Sequence, residues 1–423
     1  MNTLFQKLKT IILDSTLRNR VLFVIAALVI FRLVGTIPVP GVDTARLTAF
    51  LAGSQFFGLL NIFSGGGLSN LSILMLGVGP YITSSIIMQL LTMIFPKLKE
   101  MYQEEGEAGR RKFAQYSRLL SVPLAMIQAF GLLYLLKQQS IFVAPTLFDH
   151  VLAVIVVTGG AVFLMWLGEL MTEYGIGNGM SLLIFAGIVA TAPTSLSQLY
   201  YTFTSADLLL YAVFLVVAVV IIALVVVITE AERPIPVTYA KRVRGMKVYG
   251  GTSTYLPIRV NQSGVMPIIF ALSILLFPQM IVSFLGGIAN PTVQAVATTV
   301  KAIIENQLIY GIAYFILVFL FTYFYTAVTF DPDQIATNLQ KSGAFIPGVR
   351  PGPSTSEHLS KILVRLTFVG AVFLAFIAIL PLILQAVTGI QALAIGGTSL
   401  LIVVSVVIEF VKQLDAQLSM REY

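Results

Sequence analysis

Long apolar runs alternate with short polar ones along the chain, and the spacing of the runs sets its architecture. A helix rises about 1.5 Å per residue, so roughly 20 apolar residues are needed to cross about 30 Å of hydrocarbon. Runs suited to crossing fall at 21–37, 68–95, 119–136, 151–171, 208–229, 265–285, 308–330, 364–384 and 392–411, with a shorter one at 180–192 that stops before Pro193. Ahead of them, residues 3–17 set Leu4, Phe5, Leu8, Ile11 and Ile12 at helical spacing on an otherwise polar stretch, the pattern of an amphipathic helix lying on the bilayer surface.

One stretch breaks the pattern. Residues 55–63 are apolar, yet as a helix they reach only about 14 Å, and they run into Ser64-Gly65-Gly66-Gly67, which permits a sharp reversal. The run that follows carries Gly77, Gly79, Pro80, Ser84, Ser85 and Gln89. Broken backbone and polar side chains at membrane depth require a protein-lined or watery cavity, which predicts a pathway with the short segment lying inside it. An external loop ahead of an ordinary helix is the alternative.

Composition sharpens the class. The 423 residues are 57% hydrophobic and 11% charged, with no cysteine and two isolated histidines, His150 and His358. A polytopic helical membrane protein without thiolate or zinc chemistry is expected. Of 26 Lys and Arg residues, 22 fall in the amino terminus, in the stretches 96–118, 230–262 and 331–365, and in the tail, whereas the alternate loops hold Arg46, Lys137 and Lys301. By the positive-inside rule both termini are cytoplasmic, and 180–192 must cross for residues 230–262 to stay inside. Basic residues before an uncut apolar run mark an uncleaved first helix. Ten spans divide into five and five, with a break in the loop 193–207, and an odd number per half inverts the second half. The fold class is therefore all-α polytopic, ten transmembrane helices in two inverted five-helix halves: 1–20 as the surface helix, 21–200 and 201–411 as the halves, and 412–423 as a cytoplasmic tail.

Candidate chemistry is sparse. Glu169, Glu173, Glu230 and Glu409 sit near cytoplasmic helix ends, where snorkelling or pairing is the simpler reading, and Arg32 lies within the first span. A proton or sodium relay, and with it a secondary transporter of a small solute, is disfavoured. Gln89, Gln128 and Asn261 are uncharged polar residues in or at spans, suited to hydrogen-bonding across a helix interface or holding a gate. Gly175-Ile-Gly-Asn-Gly179 joins two spans and lacks a following Lys-Ser/Thr, so it is no phosphate loop. The loops around 239–259 and 343–352 set basic residues among Gly, Pro and Tyr, the chemistry of a docking surface for a large acidic partner, RNA included.

Phe63-Ser-Gly-Gly-Gly-Leu-Ser69, Gly79-Pro-Tyr-Ile-Thr-Ser84, Gly106-Glu-Ala-Gly-Arg-Arg111, Gly175-Ile-Gly-Asn-Gly179, Tyr239-Ala-Lys-Arg242, Lys341-Ser-Gly-Ala-Phe-Ile-Pro-Gly-Val-Arg-Pro-Gly352 and Gly396-Gly-Thr-Ser-Leu-Leu-Ile402 occur in that order along the chain. Together they resemble the bacterial SecY family, the channel subunit of the protein-export translocon. The resemblance implies a clamshell of two inverted halves around an hourglass pore, plugged on the external side by residues 56–70, with Phe57, Leu60, Asn61, Ile62, Phe63, Ser64, Gly65, Gly66 and Gly67 as the plug residues. It places an apolar constriction at Val78, Ile82, Met180, Ile184, Ile269 and Ile402, departing from the commoner all-isoleucine ring at Val78 and Met180. A lateral gate between the second and third spans and the seventh and eighth would carry Gln89, Gln128 and Asn261.

In the family the long cytoplasmic loops receive the motor ATPase SecA or the ribosome. The resemblance gives Arg350 the central role there, with Arg242, Arg244, Lys247 and Lys341 as companions, and Met246 standing where an arginine pair is common. Expected partners are SecE-like and SecG-like subunits, SecA, the ribosome, signal-bearing preproteins and membrane lipids, but not DNA. The implied protein is a multi-pass channel of the plasma (inner) membrane, not an enzyme, and without a cofactor of its own.

Overall fold

The computed structural model describes residues 13–40, 61, 64, 66–68, 71–138, 141–142, 146–202, 208–239, 242–244, 247–249, 253–286, 291–388 and 391–419. In chain order the elements are α1 (Ser15–Val34), α2 (Gly79–Ile94), α3 (Pro96–Gln103), α4 (Gly106–Gln138), α5 (Leu147–Tyr174), α6 (Gly179–Thr202) and α7 (Leu208–Glu230). Strands β1 (Glu232–Tyr239), β2 (Arg242–Arg244), β3 (Lys247–Tyr249) and β4 (Ser253–Arg259) follow, then α8 (Met266–Gly286), α9 (Pro291–Glu305), α10 (Gln307–Thr329) and α11 (Pro332–Lys341). Strand β5 (Ala344–Phe345), α12 (Pro353–Thr388) and α13 (Gln391–Ser419) complete the chain. Helices stand at all ten expected spans. Among the described residues, four helical stretches are individually long and apolar enough to cross a membrane, and α2 with α3 makes a fifth, bent by 116° at the junction.

Several boundaries differ from the sequence reading. The second span is not helical from residue 68: turns run from Leu71 to Val78, and helix begins only at Gly79. Left-handed backbone at Leu71, with φ 40°, and at Gly77, with φ 59°, is incompatible with a continuous helix. Pro80, in the first turn of α2, lacks an N–H that would have had no helical partner there. The fifth span does not stop at Pro193 either, because α6 carries that proline inside it. The first helix opens at Ser15, capped by the Asp14 carboxylate through the Thr16 and Leu17 amides, so the end of the expected surface segment belongs to α1 and the part before residue 13 lies outside the described residues. Helices α4 and α12, of 33 and 36 residues, begin well before their apolar runs, at Gly106 and Pro353. At about 1.5 Å per residue each is about 50 Å long, and so projects beyond the hydrocarbon.

Contacts divide the chain into two units. The first takes the chain up to Leu215, Leu272–Tyr310 and everything from Pro381; the second takes Val216–Ala271 and Gly311–Leu380. In the first, Leu68, Leu71, Met75 and Leu76 pack with α4 and α5 through Ala129, Leu133, Leu136, Val157 and Ala161. Helix α5 touches both α2 and α6. A smaller apolar cluster of Leu17, Ile176 and Leu418 ties the start of α1 and the end of α13 to the loop between α5 and α6.

The second unit contains an element that the sequence reading took for turns. Strands β4, β1 and β5 form an antiparallel sheet in that order, with Ile235 opposite Leu256, Val237 opposite Thr254, and Thr238 and Tyr239 opposite Phe345 and Ala344. Pro234 and Pro236 sit two residues apart, so both missing donors lie along one edge of β1, beyond the reach of β5. Between the prolines and after them, Ile235 and Val237 are buried. They join Ile258, Ala344, Ile346, Leu359, Ile362 and Leu363 in one apolar core.

Candidate conducting path and docking platform

Two groups of the expected functional residues fall within a single unit and can be built from their neighbours. The first is the segment ahead of α2. Asn61, Ser64, Gly66 and Gly67 are described; Phe57, Leu60, Ile62, Phe63 and Gly65 lie outside the described residues. The Ser64 hydroxyl donates to the Asn61 carbonyl at 3.0 Å and accepts from the Leu68 amide at 3.1 Å. The Gly66 amide donates to the Asn61 carbonyl at 2.8 Å, and the Ser72 amide to that of Gly67, also at 2.8 Å. Gly66 needs its left-handed φ of 80°. Gly67 is caged: a Cβ there would stand 2.9 Å from Ser72 Oγ and 3.0 Å from two carbonyl oxygens.

The non-helical stretch from Leu71 to Val78 is anchored on both sides. Its Leu71 carbonyl accepts from the Val39 amide at 2.8 Å, and its Ile73 amide donates to the Ile37 carbonyl at 3.0 Å, pinning it to the chain after α1. On the other side α5 comes so close at Gly160 that a Cβ there would lie 2.1 Å from the Ile73 carbonyl oxygen. Backbone buried away from water must find partners, and these bonds supply them. Packed in place, the stretch leads directly into Val78, which is 2% exposed, and into Ile82, one helical turn along α2.

Helix α6 brings the next pair. The Asn178 side-chain oxygen accepts from the Met180 and Ser181 amides at 3.0 and 3.3 Å, and Thr172 Oγ1 accepts from the Gly179 amide at 2.9 Å. The closeness is enforced by missing side chains, since a Cβ at Gly179 would stand 2.0 Å from the Gly168 carbonyl oxygen. The glycine-rich loop, which bound no phosphate in the sequence reading, thus fixes the register of the helix carrying Met180 and Ile184. Met180 is half-buried and Ile184 buried; Ile402, also buried, comes from α13, which packs on α6. Ile269 is buried on α8 and belongs to the second unit.

The three amides expected at a gate are likewise divided. Gln89 donates from Nε2 to Ser85 Oγ at 3.3 Å, and its buried Oε1 has no hydrogen-bond partner among the described residues. Gln128 is buried on α4. Asn261, in the second unit, closes a turn ahead of α8, with Nδ2 donating to the Gly264 carbonyl and Oδ1 accepting from Ser263 Oγ, each at 3.2 Å. Gly370 of α12 backs onto that turn, where a Cβ would meet the Val260 carbonyl oxygen at 2.7 Å.

The second group is the basic platform, all within the second unit. Arg242, Arg244 and Lys247 lie on the β2–β3 hairpin, with Arg244 paired to Lys247 across the strands. Lys341 ends α11, exposed, and Arg350 is exposed on the turn that follows β5. That turn is built by left-handed glycines at 343, 348 and 352, by the Val349 amide donating to the Ile346 carbonyl at 3.0 Å, and by Thr355 Oγ1 donating to the Arg350 carbonyl at 2.8 Å. Both basic loops thus rise from one sheet and one apolar core. The basic charge of both loops was legible in the sequence; the β1–β5 link was not, because a two-residue strand leaves no periodic signal.

Comparison with known proteins agrees with this arrangement. The SecY family model matches residues 72–411. The chain belongs to the SecY family. Curated SecY-family relatives named protein translocase subunit SecY include those of Streptomyces galbus, 42% identical with 96% of each chain covered, and Escherichia coli K12, 42% identical with 96% of this chain and 93% of that one covered. The SecY of Thermotoga maritima is also 42% identical, over 99% of this chain and 97% of its own. A solved structure described as that of a protein conducting channel matches over 95% of this chain and 92% of its own, with a TM-score of 0.64 at 21% identity. Sec61 in the canine ribosome-channel complex from the endoplasmic reticulum matches over 95% and 92%, with a TM-score of 0.59 at 19% identity. The fold is accordingly that of the SecY and Sec61 membrane channels.

Proposed function

We propose that this chain conducts unfolded preproteins across the plasma membrane and releases hydrophobic segments sideways into the bilayer. SecY-family membership makes it a protein-conducting channel subunit. One observation carries the further reading: a non-helical segment is hydrogen-bonded and packed inside the first unit immediately ahead of the apolar positions Val78 and Ile82. A segment held there by a handful of bonds is a removable stopper. Apolar side chains at Val78, Ile82, Met180, Ile184, Ile269 and Ile402 would let an extended chain slide past without strong attachment to any residue. In this reading Gln89, Gln128 and Asn261 serve the gate, where an entering signal segment exchanges helix contacts for its own.

The chain performs no reaction itself. Energy comes from a motor or from chain elongation, delivered by SecA or the ribosome at Arg242, Arg244, Lys247, Lys341 and Arg350, while SecE-like and SecG-like subunits complete the complex. Both termini face the cytoplasm, as the basic loops require. The test is import of a signal-bearing precursor into vesicles holding the chain with SecE-like and SecG-like subunits, SecA and ATP. Protease-protected precursor that depends on ATP and is lost in Arg350→Glu is expected. Accumulation of a small solute without protected precursor would overturn the proposal, and equal import by both proteins would remove Arg350 from the docking site.

A further inference from the structure

Three helices of the first unit meet along a polar seam. The Ser84 hydroxyl on α2 donates to the Ser117 carbonyl on α4. From α4, Arg118 Nε donates to Glu169 Oε1 on α5 at 2.6 Å, and Ser121 Oγ lies 3.2 Å from Met165 Sδ. Tyr81 on α2 turns its hydroxyl to the same Glu169 carboxylate, within the field of both charges. The Glu169 side chain is only 21% exposed. Glu169 therefore engages side chains from two other helices at once, rather than simply facing water at a helix end.

The seam adjoins both apolar pairs of the first unit along the chain. Tyr81 directly precedes Ile82 and follows Val78 by three residues on α2. Glu169 follows Gly168, whose bare backbone abuts Met180: a Cβ there would stand 2.6 Å from Met180 Sδ. Helix α5 is thus the element against which α2 and α6 are both seated, and Glu169 is the point at which α2 is keyed to it. Hydrogen bonds to an ionised carboxylate are shorter and more directional than neutral ones, and partial burial strengthens them. A phenol and a guanidinium on one carboxylate fix the rotation of α2 about its own axis, which greasy packing alone leaves softer.

We propose that Tyr81, Arg118 and Glu169 are positioning residues that hold the Val78–Ile82 pair and the Met180–Ile184 pair at their closed spacing. The inference rests on the channel reading above. Loosening the seam rotates or withdraws α2, widens the constriction at rest and lowers the threshold at which a weak signal segment opens it.

The experiment uses the reconstituted complex in vesicles and reads two quantities: halide leak through the resting channel, and SecA-driven import of a signal-defective precursor relative to an intact one. Tyr81→Phe deletes one oxygen and Glu169→Gln removes the charge; each is expected to raise leak about five- to tenfold, which corresponds to about 1 to 1.4 kcal/mol, and to raise the import ratio. The exposed Tyr116→Phe on the same α4 helix serves as control and moves neither. The exchange Arg118→Glu with Glu169→Arg rebuilds the pair in reverse, and its leak is expected to fall back toward wild type. Unchanged leak and import ratio in both Tyr81→Phe and Glu169→Gln would overturn the inference. So would a charge exchange that restores the melting temperature but not the seal, because the pair would then only brace the bundle. Failure of the wild type to import any precursor would instead overturn the channel reading itself.

Discussion

Two adjacent glycines on α5 provide an internally controlled test of the stopper. A Cβ at Gly160 would stand 2.1 Å from the Ile73 carbonyl oxygen and 2.8 Å from its carbon, whereas at Gly159 nothing among the described residues lies within 4 Å. The obstacle at Gly160 is backbone, so no rotamer change relieves it. Forcing a methyl group into a packed site costs about 1–3 kcal/mol, and alanine returns up to about 1 kcal/mol of helix propensity. In overall stability a net cost of about 0–2 kcal/mol remains for Gly160→Ala, while Gly159→Ala is neutral or slightly stabilising. The Ile73 stretch is held by a few bonds to residues 37 and 39 and is softer than a helix of 28 residues, so the displacement falls on it. The helix-propensity gain is common to the seated and unseated states, so the clash of about 1–3 kcal/mol acts in full on the seating equilibrium, and the unseated population rises by about 5- to 150-fold. Halide efflux from vesicles containing the resting complex reads that population directly. Gly160→Ala should leak in that proportion and Gly159→Ala should match wild type. Equal leak from the two variants would refute the claim that the α5 backbone seats the stopper.

Other outcomes follow from the same contacts. Asn178→Ala removes the cap of α6 and should cost about 1 kcal/mol, seen as a lower melting temperature of the complex together with increased halide leak, because Met180 and Ser181 lose their acceptor. Ile258→Ala empties a fully buried position in the core shared by both basic loops; the expected loss is about 2–5 kcal/mol locally, read as faster amide exchange in β1 and weaker SecA binding without a change in resting leak. Gly370→Ala should push on the Val260–Asn261 turn at 2.7 Å and cost about 1–3 kcal/mol, measured as a lowered melting temperature that Gly264→Ala, at an open position with φ 60°, reproduces only through backbone strain.

Each apolar run read as a span coincides with a helix, because twenty apolar residues in sequence have few other uses. Hydropathy could not locate where helices begin. The amphipathic or charged turns that open α4 and α12 resemble ordinary loop, and only contacts with neighbouring elements keep them helical. Pro193 illustrates the reverse error: proline forbids one backbone bond, yet α6 continues through it. At 68–78 the warning was present in Gly77, Gly79 and Pro80, but length argued for a span and outweighed them. In the cytoplasmic loops the alternation Ile235-Pro-Val237, opposite Thr254-Tyr-Leu256 in antiparallel register, was readable as strand, and was masked by prolines and glycines that usually mean turns. Glu169 shows what single residues conceal. Its neighbours in sequence suggest a wetted helix end, whereas its partner Arg118 comes from 51 positions away.

The two-residue pairing of β5 with the end of β1 has a consequence for anyone altering the cytoplasmic face. It makes the segments 232–259 and 344–352 a single mechanical part, although 84 positions of sequence and two long helices separate their nearest members, Arg259 and Ala344, by way of α8 and α10. A ligand that grips the hairpin also pulls on the arginine turn, and a graft that replaces one segment with that of a relative presents the other with an unfamiliar edge. Chimeras that exchange both segments as a pair should therefore behave as whole transplants, while single exchanges should fail even where the exchanged residues never touch the motor.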